Sequence, residues 1–147
     1  MFRGAALAGL MLATIGVPSA MAGSVPIWLL MKQCEASPGT VKLCSHQYTS
    51  GNRNWSYARQ TTVVTQPTTS SVFSVIVQRG DDNVAYTGQT GTNLSSKTIQ
   101  KGDGNFAGTY QEGSDIESKT IQVGDGIWSG TSSIGDDNKT SVVVHTW

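Results

Sequence analysis

Charge is scarce in this chain. Of 147 residues, 14% are Asp, Glu, Lys or Arg, against roughly 25% in ordinary soluble domains. Ten basic residues balance ten acidic ones. The absent basic excess argues against a nucleic-acid binder. Leu, Ile, Val and Phe are also few, 31 residues or 21% of the chain. The broad aliphatic interior of a conventional enzyme is hard to build from that supply. Low charge argues equally against a disordered chain, which needs repulsion to stay expanded. Catalytic groups are thin as well. The two histidines, His46 and His145, lie far apart. No Gly-x-Ser-x-Gly, paired-histidine helix or phosphate loop is present, so neither an enzyme nor a cofactor is expected. What is plentiful is Gly, Ser and Thr, 17 of each.

Only one apolar run is long, and it is at the start. Arg3 precedes the stretch from Ala5 to Val17, and Pro18-Ser19-Ala20-Met21-Ala22 follows with small residues before Gly23. The pattern predicts a secretory signal peptide, residues 1–22, cleaved after Ala22 and outside the fold of the released chain. The run is too short for a membrane span. After cleavage, residues 23–71 carry Lys32, Lys42, Arg53 and Arg59 against Glu35. Residues 72–147 carry five basic and nine acidic groups, so the halves have opposite charge.

Cysteine is limited to Cys34 and Cys44. In an oxidising compartment the two are expected to pair across the turn signal Ser37-Pro38-Gly39. Closing so short a loop contributes about 2–3 kcal/mol in the chain-entropy model. Free thiols are the alternative. A metal site would want two further ligands, and the spacing fits no zinc pattern.

The informative feature is a repeat. Glycine recurs every eleven residues, at Gly80, Gly91, Gly102, Gly113, Gly124 and Gly135. Two residues before each stands Gln78, Gln89, Gln100, Gln111, Gln122 and then Ser133. Two earlier stands Ile76, followed by Thr87, Thr98, Thr109, Thr120 and Thr131. Earlier again, Ser74, Ala85, Ser96, Ala107, Ser118 and Ser129 alternate in a way that marks a 22-residue unit of two similar halves. Copies run over 73–94, 95–116 and 117–138, with a last strand at 139–147.

Columns with period two mean strands. Gly followed by Asp, Asn or Gly means a tight turn. The expected fold is therefore all-β, a solenoid of stacked 22-residue strand-turn-strand coils over residues 72–147. Stacking at about 4.8 Å pairs each coil with those above and below. Each Gln then lies over the next Gln, and Asn83 over Asn105, as amide ladders. The core is expected to be a thin zipper of Ser, Ala, Thr, Gln and Gly, in cross-β-like order. A calcium-binding β-roll has a nine-residue period with doubled glycines; here Asp81, Asp82, Asp103 and Asp125 read as turn formers. No metal is expected.

A solenoid has two ends, and soluble proteins blunt theirs. The last strand, Thr140 to Trp147 with Val142, Val143 and Val144 at its centre, has no proline or cap after it. It is the expected assembly edge. Sticky ends favour open head-to-tail addition into a filament.

These residues resemble the curlin repeat of bacterial curli fibres, Ser-x5-Gln-x-Gly-x2-Asn-x-Ala-x3-Gln. Gln78-x-Gly80-x2-Asn83-x-Ala85-x3-Gln89 follows it, and so does Gln100-x-Gly102-x2-Asn105-x-Ala107-x3-Gln111. Gln122-x-Gly124 opens a third copy, which departs at Ile127, Ser129 and Ser133. Val72, Leu94 and Ile116 stand where the family has its leading Ser. The resemblance implies a functional-amyloid subunit of major or minor, nucleating type, at the cell surface in a pilus-like fibre. It implies roles in adhesion and biofilm. It implies, as partners, the chain itself or a homologous fibre subunit, with an outer-membrane secretion pore and periplasmic chaperones.

Residues 23–71 fit the repeat poorly. Val25 to Met31 is apolar and suits a strand or a membrane-contacting segment. Asn52 to Gln60 is polar with aromatics and suits a pore-targeting signal, a linker or a solenoid cap. Tyr86, Phe106, Tyr110 and Trp128 point outward in the expected strands, to pack fibrils, bind carbohydrate or simply favour strands. Two other classes compete. One is a soluble β-solenoid adhesin or binding module of the fibre system. The other is an ice- or mineral-binding solenoid, which needs the Thr column on an outer face.

Overall fold

The computed structural model describes residues 10–18, 29–37, 41–63 and 70–146. The described chain is all-β, with eleven strands in two sheets. Strands β1 (Leu10–Pro18), β4 (Trp55–Val63), β6 (Val84–Thr92), β8 (Phe106–Ser114) and β10 (Trp128–Asp136) form one sheet in the order β1-β4-β6-β8-β10. Strands β2 (Leu29–Ser37), β3 (Val41–Ser50), β5 (Ser70–Arg79), β7 (Leu94–Lys101), β9 (Glu117–Val123) and β11 (Lys139–His145) form the other, in the order β11-β9-β7-β5-β3-β2. We call these sheets A and B. From β3 onward, successive strands alternate between the sheets and pair in parallel with the strand two along, Ile76 beside Thr98 and Thr98 beside Thr120. The molecule is a parallel β-solenoid with a 22-residue coil.

The corners follow from glycine and short polar residues. At one corner Gly80, Gly102 and Gly124 have φ of 112°, 117° and 127°. Two residues on, Asp82, Gly104 and Gly126 sit in the left-handed region at 57°, 66° and 64°. At the other corner Asn93, Asp115 and Asp137 take that place, each at φ 55°. Short polar side chains tolerate this conformation better than others. Each turn then stacks on the next: the Asp81 amide donates to Asp103 Oδ1 at 2.7 Å, and the Asp103 amide to Asp125 Oδ1 at 2.8 Å.

The strand parity is now plain. Ser74, Ile76 and Gln78 point inward in sheet B, and Ala85, Thr87 and Gln89 in sheet A. The Thr column is buried throughout, so the outer Thr face that an ice-binding solenoid needs is not there. Large apolar side chains gather at one corner, where Leu43, Val72, Leu94 and Ile116 stack. Ala58, Ile76 and Ala85 make a smaller apolar cluster, and most of the remaining buried residues are Ser, Thr, Asn and Gln. Several inner hydroxyls, among them Thr87, Thr98 and Thr120, have no hydrogen-bond partner. A buried hydroxyl without a partner costs stability, and an apolar group of the same shape avoids that cost. Thr98→Val should therefore raise stability by about 1 kcal/mol, visible as a higher urea midpoint.

The array is longer than its 22-residue spacing announces. Residues 41–63 form a further coil ahead of residue 72, with Cys44 beside Phe73 and Tyr57 beside Tyr86. Its contacts reach the next coil at a separation of 29 residues rather than 22. The extra residues fall in the connection between β4 and β5, which breaks the period without breaking the stack. Asn52 to Gln60, read above as a targeting signal, linker or cap, is the turn and second strand of this coil.

Two strands cover the N-terminal end, both antiparallel. β2 lies on β3, with Cys34 directly opposite Cys44. Cys44 is disulfide-bonded and no cysteine is free. β1 lies on β4, with Ala13 opposite Gln60. Thus part of the predicted leader joins the sheet in the full-length chain. The physical reason is the open β4 edge, whose unpaired N–H and C=O groups take up an extended apolar strand within reach. The predicted cleavage site after Ala22 and the apolar residues Val25–Trp28 lie outside the described residues.

Candidate assembly site

The inner amides run as two ladders, one per sheet. In sheet B, Gln78 Nε2 donates to Gln100 Oε1, and Gln100 Nε2 to Gln122 Oε1, both at 2.9 Å. In sheet A, Gln60 Nε2 donates to Gln89 Oε1 at 3.1 Å, and Gln89 Nε2 to Gln111 Oε1 at 2.7 Å. All are buried. The second N–H of each amide crosses to the facing sheet. Gln78 donates to Trp55 O and Gln100 to Val84 O, each at 2.9 Å. From the other side, Gln89 donates to Phe73 O at 3.1 Å and Gln111 to Ser95 O at 2.9 Å. One Gln thus ties its rung to the next rung and to the opposite sheet. Neither Leu nor the shorter Asn can do both.

Asparagine links the coils at the corner by another route, its side chain meeting backbone groups of the next coil: the Asn105 backbone N–H donates to Asn83 Oδ1 at 3.1 Å, while Asn83 Nδ2 donates to Gly102 O at 2.8 Å. Asn54, which the repeat pattern starting at 72 leaves out, heads this ladder by accepting from the Asn83 amide at 3.0 Å. Gln60 likewise heads the sheet A ladder. Both could have been found by aligning Gly51-x2-Asn54-x-Ser56-x3-Gln60 on Gly80-x2-Asn83-x-Ala85-x3-Gln89.

The C-terminal coil ends every ladder. Ser133 stands beside Gln111, Val144 beside Gln122, and Ile127 follows Asn105 at the corner. Gln122 keeps its bond across to Phe106 O and, with no Gln on the next rung, donates also to Ile127 O and Ser129 Oγ. The backbone edges remain open: β10 and β11 are outermost in their sheets. Val142, Val143 and Val144 lie on that β11 edge, Val143 facing outward and the other two half-buried.

The outer faces differ. Sheet A carries aromatics. Tyr57 and Tyr86 stack with ring centroids 5.6 Å apart and planes within 10°, and Phe106 meets Trp128 at 5.3 Å. Stacked rings cover each other's faces, so Tyr57 and Tyr86 offer mostly edges to a sugar. Trp128, 78% exposed, is the open one. The Tyr110 hydroxyl donates to Glu112 Oε2 at 2.6 Å, and that bond holds its pKa above the ordinary tyrosine value. On sheet B, Lys97 and Lys119 form one outward row and Val77, Ile99, Ile121 and Val143 the next. Arg53 pairs with Asp82 across the first corner. Among the described residues, no group of three His, Cys, Asp or Glu is placed to hold a metal ion, and no helix is long and apolar enough to cross a membrane.

What this arrangement can do chemically is join other strands: it offers backbone edges, amide ladders and flat outer faces. No family model, curated protein or solved structure matches the chain.

Proposed function

We propose that this chain is a secreted structural subunit of a curli-like extracellular amyloid fibre, which serves adhesion and the biofilm matrix. It joins its neighbours by stacking solenoid ends, or nucleates such stacking. The observation that carries the reading is the parallel, in-register stack of Gln-laddered coils whose last strands, β10 and β11, leave their outer edges unpaired. Parallel in-register strands with amide ladders are how cross-β fibres hold together. Export by the leader, and passage through an outer-membrane pore with periplasmic chaperones, belong to the same proposal.

A second reading is a soluble adhesin or binding module of the fibre system. One feature favours it: β2, fastened through Cys44, covers the sheet B end as a cap would. Thioflavin-T fluorescence and electron microscopy on residues 23–147, diluted from denaturant, separate the two. The fibre reading expects a lag, growth and visible fibres, slowed by deleting Thr140 to Trp147. A flat trace over a monodisperse, β-rich monomer would favour the soluble module.

A further inference from the structure

Folding sorts the charges of this chain by face. On the outer face of sheet B, Val77, Ile99, Ile121 and Val143 lie in register as a row along the stack. Lys97 and Lys119 stand in register on one side of that row, Arg79 and Lys101 on the other. All four cations are exposed, and they surround Ile99 on three successive rungs. Rows four residues apart along a strand are about 13 Å from each other. Across the sheet the pattern is therefore basic, apolar, basic. The chain supplies these cations with no anion. Among the described residues the ion pairs are Arg53 with Asp82 and Lys139 with Glu117. Glu117 is the one carboxylate on this face from β3 to β11. The aspartates are held at the corners by their own turns: Asp103 and Asp125 accept backbone N–H groups, and Asp115 accepts from Asn93. Arg79 lies over the Tyr48 ring, 6.0 Å from its centroid. A second sheet B face would bring the same sign of charge, so this face does not suit itself.

We propose that the outer face of sheet B binds an acidic polysaccharide, a β-linked uronan chain lying along the stack. Successive rings of such a chain are rotated by half a turn. Its carboxylates therefore leave alternately from its two edges, and the C–H faces of the rings lie between them. The edges meet the two basic rows in charge-assisted hydrogen bonds, and the ring faces cover the Val and Ile row, which removes apolar surface from water. Other polyanions fit less well. Single-stranded nucleic acid stacks its bases on open aromatic rings, whereas Phe73 and Tyr48 on this face are half-buried, against His46 and under Arg79. An anionic membrane is entered by Trp, Phe or Leu side chains that protrude into it, whereas Val77, Ile99 and Ile121 are half-buried in a flat sheet. The face stands apart from the solenoid ends, so the site goes beyond the fibre reading and holds whether the chain is a fibre subunit or a soluble module.

Biolayer interferometry of the folded chain on an end-biotinylated oligomannuronate tests the site, with a neutral β-linked mannan oligosaccharide of the same length as control. The uronan should bind, more weakly as salt is raised, and the mannan should not. Lys97→Gln combined with Lys119→Gln should weaken binding about tenfold, and so should Arg79→Gln combined with Lys101→Gln. Arg59→Gln, which removes a charge from the exposed face of sheet A, should change it less than about twofold. Ile99→Thr combined with Ile121→Thr keeps the branched shape and every charge, and should weaken binding about threefold. Circular dichroism and urea midpoints report that each variant is folded. If the folded chain does not bind the uronan at low salt, or if Arg59→Gln weakens binding as much as the lysine pair does, the site is refuted. If the isoleucine pair changes nothing, or if single-stranded DNA or phosphatidylglycerol vesicles bind more tightly than the uronan, the polysaccharide assignment falls. Thioflavin-T growth reads the solenoid ends, so a flat trace there removes the fibre reading and leaves this site standing.

Discussion

Gly102→Ala should destabilise the solenoid by about 4 kcal/mol or more, a large share of the roughly 5–15 kcal/mol a domain has to lose. A Cβ at Gly102 would lie 2.1 Å from Gly124 O, the backbone of the next coil, on a residue held at φ +117°. Backbone in a stacked ladder cannot give way without parting the coils. Neighbouring positions isolate the cause. Gly104 also has positive φ, 66°, yet nothing lies within 4 Å of its missing Cβ. Asp82 occupies the equivalent place one coil earlier at φ 57°. Gly104→Asp should therefore cost under about 1 kcal/mol, well below the left-handed penalty of other side chains. Gly135, in the last coil, has φ +111°, but its nearest neighbour is the Asn138 side-chain nitrogen at 3.4 Å. Gly135→Ala should fall between the two. Denaturant midpoints by circular dichroism rank the three; equal costs at Gly102 and Gly135 would refute the stacking account.

Gln100→Leu keeps the volume and should still cost about 3–5 kcal/mol, because hydrogen bonds rather than shape are lost. Val84 O and Gln122 Oε1 lose their donor, and Gln78 Nε2 loses one of its two acceptors. All of these lie inside, where water cannot compensate. Gln100→Asn should be nearly as harmful, since the shorter amide cannot reach both partners. Lys101→Leu, on the exposed face next door, should change stability by no more than about 0.5 kcal/mol. Urea unfolding settles the comparison. A Gln100→Leu protein as stable as its parent would mean that the narrow core is held by packing after all.

The same two substitutions show how much of the fold was legible beforehand. Gly102 and Gln100 were marked by an eleven-residue spacing, and the spacing alone implied strands, turns and ladders. The reason is simple periodicity: in a solenoid each residue lies over its counterpart one coil away, so the contact map is written along the chain. The coil at 41–63 escaped because its connection to β5 shifts the offset from 22 to 29 residues. The Asn54 and Gln60 pattern was there, but no fixed period pointed to it.

Over residues 72–147 the sequence by itself therefore determined the stacked architecture, the turn positions and the stacking of its Gln residues, since each depends on local chemistry repeated at a constant interval. Only the tertiary structure decided which parity is buried, because Thr and Ser suit either face of a strand. It also showed that each Gln joins two sheets as well as two coils, a bond to a carbonyl that no side-chain pattern records. And it decided how the ends are finished: β1 and β2 antiparallel at one, an interrupted ladder at the other. Ends have no next coil to repeat them, so periodicity is silent there.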